Sequence, residues 1–249
     1  MMSGETVDIQ TDDGIADAYL SRPQDGEAHP GVLFLMDAFG LRAQIEAMAD
    51  RIAAAGYTVL APNLFYRSSR SPVLAADANL KDPDQRQALY AQIGPMMQEL
   101  TTERIVDDGR AYLDTLQQLA PGPAAITGYC LGGRVGWRIA AAYPERVAAL
   151  GGFHAGGLVT DTEDSPHLSA GQISGEVYLG HADNDRSMTA DQIATVECAL
   201  ADAGVTYRSE LYAGAEHGYT MADTAAYNES AAERHFNELL ALLDRTIAA

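Results

Sequence analysis

The sequence predicts an α/β protein, a mostly parallel sheet with helices on both faces, preceded by an antiparallel hairpin. Two observations carry this. Short, wholly apolar runs bounded by Gly or Pro alternate along the chain with longer stretches of helical period, the pattern of strands joined by crossover helices. A Gly-x-Cys-x-Gly turn also joins one such run directly to a small-residue helix. The 249 residues contain no linker, repeat or low-complexity tract, so a single domain spanning 1–249 is expected.

In chain order, Thr6–Gln10 and Ala16–Leu20 flank Asp12-Asp13-Gly14, a turn signal, and predict the opening hairpin. Gly31–Met36 is continuously apolar, as a strand covered on both faces should be. Ala43–Ala55 reads as a helix closed by Gly56, and Tyr57–Ala61 as a strand stopped by Pro62. The stretch 63–83 has no clear period, and its length suits a lid or pocket wall. Helices are predicted over Asp84–Ile93 and Met97–Leu119, and a strand over Ala124–Thr127. The helix Leu131–Tyr143 and the buried strand Val147–Phe153 come next, and 154–173 is irregular. Glu176–Gly180 and Tyr207–Tyr212 are strands, with helices at Thr189–Ala203 and Thr224–Thr246.

The run from Ala124 through Gly136 is the candidate site's centre. It has the strand, sharp turn and helix of a nucleophile elbow, with Cys130 where such turns usually carry serine. Gly128 and Gly132 flank it where larger side chains would meet the neighbouring strand and helix. A cysteine at a helix N-terminus faces unpaired N–H groups that favour a thiolate and any oxyanion formed beside it. A cysteine nucleophile needs a base and a carboxylate to orient that base, in the chain order nucleophile, acid, histidine. Asp183 and Asp185, just past one strand, are the acid candidates, and His217, past the last strand, is the base candidate. All fall at strand carboxyl ends, where ligands bind in such sheets.

Composition narrows the function. With 16 Lys+Arg against 35 Asp+Glu the net charge is −19, which disfavours nucleic-acid and membrane-surface partners. Two cysteines are too few for a disulfide scaffold, and the first residues carry no basic and apolar leader, so a cytoplasmic protein is expected. Cys198, in a helical pattern, reads as a small core residue. His154, His167 and His181 fall near the expected mouth of the site, but no His-x-x-x-His or Cys-x-x-Cys spacing supports a metal site.

The Gly128–Gly133 elbow, the Asp185 loop, His217-Gly218-Tyr219 and Asp37-Ala38-Phe39-Gly40 together resemble the dienelactone hydrolase family of the α/β-hydrolase fold, over about Gly31 to Leu243. The resemblance implies cofactor-free hydrolysis of a small-molecule ester or lactone by Cys130, Asp185 and His217, and it places Asp185 rather than Asp183 on the family's acid. It implies oxyanion donors in the backbone N–H groups of Leu131 and Ala38. At Asp37 the family has a glutamate that contacts the resting thiol; aspartate is one methylene shorter, which puts that gating in doubt. The substrate contacts to watch are Arg86, Met221 and Tyr129. Arg86 matches one of two arginines that hold a substrate carboxylate in the family, whereas Met221 stands where the other would be, which points to a less charged or larger substrate. Two other readings fit the residues: a non-catalytic small-molecule-binding protein of the same fold, and a redox-sensing cysteine protein.

Overall fold

The computed structural model describes residues 3–75, 78–183 and 185–248. Ala76 and Asp77 of the 63–83 stretch, and Asn184 of the acid loop, lie outside them. Eight strands form one sheet: β1 (Ser3–Thr11), β2 (Gly14–Arg22), β3 (Gly31–Leu35), β4 (Thr58–Pro62), β5 (Ala124–Tyr129), β6 (Val147–Phe153), β7 (Glu176–Ala182) and β8 (Tyr207–Tyr212). Their spatial order is β1-β2-β4-β3-β5-β6-β7-β8. The hairpin β1–β2 and the β2–β4 pair are antiparallel, and every other pairing is parallel. β3, β4 and β5 are buried along their whole lengths, which is why they read as unbroken apolar runs.

Helices cover both faces. α1 (Ala43–Ala54) and α6 (Glu229–Thr246) share one face, where the Arg51 guanidinium lies over the Phe236 ring and pairs with Glu233. On the other, α3 (Thr102–Leu119) packs on α4 (Leu131–Ala142), and a 3-10 turn at Pro166–Gln172 wedges between α4 and α5 (Ala190–Asp202). The remaining helix, α2 (Pro83–Gln98), has a single buried residue, Ile93, as an outlying helix would.

Three local expectations differ from the structure. The Gly94-Pro95 pair does not end α2; the helix runs on to Gln98 and breaks at 99–101, where Thr101 caps α3. Pro95 removes one N–H bond to the carbonyl of Ala91, but Ala91 is exposed and water can serve its oxygen. The last helix starts at Glu229 rather than Thr224, because the Asn228 side chain accepts the Ala231 N–H and fixes the N-terminus there. Cys198 is exposed on α5 rather than part of the core.

The described residues of the 63–83 stretch are pinned to the body of the domain. Asn63 and Ser71 bond Asp17, Arg67 pairs with Asp108 and Asp13, and Leu64, Phe65, Tyr66, Val73 and Leu74 are buried. Among its described residues none lines the cavity, and the wall expected there is supplied by α2 instead.

Candidate active site

The chain runs from β3 out to β4 and returns to β5 on the other side of β3, so a crevice opens between the carboxyl ends of β3 and β5. Cys130 sits on one side of that crevice and Ala38 on the other, in a cavity of about 1200 Å³. The backbone at Cys130 is left-handed, φ 53° and ψ −113°, immediately before α4. This bend closes only with glycine on both sides. A Cβ on Gly128 would lie 2.2 Å from the Gly132 carbonyl oxygen, and one on Gly132 would lie 2.1 Å from that of Leu35. Leu131 is the first residue of α4, so its N–H belongs to the helix's unpaired first turn.

β7 and β8 bring the other two groups to the same rim. His217 Nδ1–H donates to Asp185 Oδ2 at 2.6 Å. Asp185 Oδ1 in turn accepts the Ser187 N–H (2.8 Å) and Oγ–H (2.6 Å). Asp183 serves elsewhere: its carboxylate accepts the Gly214 N–H at 2.9 Å and its own N–H bonds Ala215, which fastens the loop carrying His217.

Electrostatics follow this geometry. Burial disfavours a charged His217, but the negative charge at Cys130 and the bond to Asp185 outweigh it and raise the imidazole to about 10. Burial likewise opposes the Asp185 charge, while His217 and Ser187 hold its carboxyl below the usual range. With Nδ1–H given to Asp185, Nε2 is left for the thiol side.

Three further groups line the cavity, of which the sequence placed only His154 near its mouth. His154 follows β6 with φ 38°; its ring is buried, meets His217 edge to face at 5.2 Å between centroids, and pairs Nε2 with Thr220 Oγ1 at 2.8 Å. Burial and then the His217 charge push it well below its ordinary value, so it stays neutral. Tyr90, from α2, packs on Phe39; burial and the charges at Cys130 and Asp37 push its phenol up to about 12, which keeps it a neutral donor. Arg134 projects from α4 into the same space.

Asp37 is placed by Arg42. The guanidinium donates to both Asp37 oxygens (2.7 and 3.0 Å) and, on its other edge, to both oxygens of Asp223 (2.6 and 3.1 Å). Asp37 Oδ1 also accepts the Phe39 N–H at 2.9 Å, and among the described residues no hydrogen bond joins Asp37 to Cys130. Arg86 and Met221 line the cavity. Tyr129 does not: its ring is fully buried between Phe34 and Phe153, and its hydroxyl pairs with His235 Nε2 at 2.8 Å. Strand alternation explains the correction, since Tyr129 is the last residue of β5 and points into the sheet's core while the chain turns at Cys130.

Among the described residues no group of three or more His, Cys, Asp or Glu is placed to hold a metal, and no helix is long and apolar enough to cross a membrane. A sequence model of the dienelactone hydrolase family matches residues 16–247. The chain belongs to the dienelactone hydrolase family. It is accordingly an ester or lactone hydrolase of the α/β-hydrolase fold. It is 25% identical over 224 residues to a candidate carboxymethylenebutenolidase of Synechocystis sp., covering 86% of this chain and 85% of that one. Among solved structures, a candidate dienelactone hydrolase of Klebsiella pneumoniae superposes with a TM-score of 0.83 at 22% identity, over 98% of this chain and 99% of the other. A dienelactone hydrolase-like promiscuous phosphotriesterase from metagenomic libraries gives 0.74 at 21% identity, with 99% of each chain covered.

Proposed function

We propose that this hydrolase acts on a small carboxylic ester or lactone through Cys130, His217 and Asp185, by way of a thioester. The observation that carries the reading is the 2.6 Å bond from His217 to Asp185 in the cavity that Cys130 of the elbow also lines. The thiolate sulfur bonds to the carbonyl carbon, and the carbonyl electron pair moves to oxygen. The N–H groups of Leu131 and Ala38 hold that oxyanion, each typically worth about 3 kcal/mol of barrier. As the intermediate collapses, the C–O bond breaks and the leaving alkoxide takes the proton from His217 Nε2, which leaves a thioester and a neutral imidazole.

Water then attacks the thioester carbon while Nε2 accepts its proton. Collapse expels the thiolate, returns the imidazolium and releases the acid. In a lactone the alcohol stays tethered to the acyl group and leaves with it. Asp185 keeps Nδ1 protonated and the ring oriented through both half-reactions.

The test is turnover of a p-nitrophenyl ester with a pre-steady-state burst, and intact-mass detection of an acyl adduct on Cys130. Cys130→Ala should abolish burst, adduct and turnover. Undiminished hydrolysis by that variant removes Cys130 from the role.

A further inference from the structure

Ser187 has no place in the sequence motifs, yet its hydroxyl lies between the two groups that orient and charge the base. Its Oγ is 2.6 Å from Asp185 Oδ1 and 3.1 Å from His217 Nδ1. The direction of each bond is forced. His217 Nδ1 carries the proton that it shares with Asp185 Oδ2, so Ser187 Oγ can only accept from it, and the single hydroxyl proton is left for the carboxylate. One O–H dipole thus turns its positive end to the Asp185 charge and its negative end to the imidazole N–H, and favours the charged form of both.

The loop does not need this hydroxyl for its shape. Asp185 Oδ1 accepts the Ser187 backbone N–H at 2.8 Å, the Met188 N–H reaches the Asp185 carbonyl at 3.3 Å, and the Ser187 carbonyl accepts the Gly157 N–H at 3.1 Å. Alanine at position 187 would keep all three. Ser187 is exposed, so water could have served its hydroxyl, and the short bond to the carboxylate forms instead. The facing loop leaves room for it. A Cβ on Gly156 would lie 2.8 Å from Ser187 Oγ and 3.0 Å from its Cβ, with the next atom, His217 Cε1, at an ordinary 3.7 Å. The backbone of Gly156 is not left-handed, so the missing side chain there serves the serine.

Resting on the hydrolase mechanism above, we propose that Ser187 is a positioning residue of the reaction, its hydroxyl joining Asp185 to His217 so that the ring keeps its charge and its aim while the proton moves. Without that hydroxyl the imidazolium loses an acceptor and the carboxylate a donor, so His217 should give up its proton at lower pH. The other titratable and charged groups about the ring are Asp185, Cys130 and His154, with Asp183, Glu216 and Arg134 in the same cavity, and substitution at 187 removes none of them.

Two measurements test this: NMR titration of the His217 ring, assigned by its loss in His217→Gln, and steady-state hydrolysis of ethyl butanoate, whose poor leaving group needs the proton. Ser187→Ala should lower the His217 midpoint by about half to one pH unit and cut kcat by about 3- to 10-fold at unchanged KM, the range of one hydrogen bond to a charged pair. Ser187→Thr, which keeps the hydroxyl, should restore most of both. Gly156→Ala, which crowds the hydroxyl, should move both in the direction of Ser187→Ala, and it decides the matter should Ser187→Ala not fold. An unmoved midpoint in Ser187→Ala, or equal losses of kcat in the alanine and threonine variants, overturns the proposal and leaves the hydrolase reading untouched. Failure of the unaltered protein to hydrolyse any ester removes the hydrolase reading itself, and with it the role of Ser187 in the reaction.

Discussion

At the residue scale the two aspartates past β7 are separated by what each one holds. Asp185 Oδ2 accepts a hydrogen bond from the imidazole Nδ1–H, and Asp183 accepts one from a backbone N–H. Asp185→Asn should therefore cut kcat by about 100-fold or more, as loss of the base's tautomer does, while Asp183→Asn should cost a few-fold through a looser loop. Steady-state kinetics on one ester compares them, and a larger loss at 183 would reverse the roles. The His217 ion pair also makes a pH prediction. Its folded value, about 10, lies above the unfolded one near 6.5, so its stabilisation is complete below about pH 6.5 and is lost as pH rises through 10. Asp185, held low, adds stability that disappears only as pH falls into the acid range. The Tm gap between the unaltered protein and His217→Gln should thus narrow between pH 7 and 10.5, at roughly 2–4 °C per kcal/mol lost. A gap that widens would contradict the pairing.

At the element scale the elbow was legible because its constraint is local. Two glycines, one cysteine and an apolar strand must coincide, and the clashes at Gly128 and Gly132 show why nothing larger fits. Gly132→Ala drives a methyl into the β3 backbone and should cost about 3 kcal/mol, read as a fall in the urea midpoint without a change in slope. An unchanged midpoint would mean that β3 and α4 are less closely packed than described. The parallel strands were legible for a similar reason, since burial on both faces leaves apolar runs. The start of α6 was not, because Thr224 to Tyr227 continue the helical composition and only the bond from Ala231 N–H to Asn228 decides the boundary. Tyr129 was misplaced by its nearness to Cys130 in sequence, where a single residue step reverses the side chain's face. Ser187 and Arg42 had no pattern to reveal them; their meaning comes from partners set by the folded chain.

At the scale of the whole molecule the net charge of −19 is spread over a surface on which most arginines are already neutralised. Self-repulsion should then outweigh the exposed pairs, each worth little. Tm is expected to rise between about 10 and 150 mM NaCl as the Debye length shortens; a fall would mean that the ion pairs dominate. The position of Arg42 has a wider reach than its size suggests. One planar cation grips the turn after β3, which offers the Ala38 amide, and also Asp223, six residues past His217. The spacing between the amide that would steady a nascent negative oxygen and the ring that would move the proton is thereby clamped by a single side chain, and slack introduced at either carboxylate should be felt at both ends of the reacting bond.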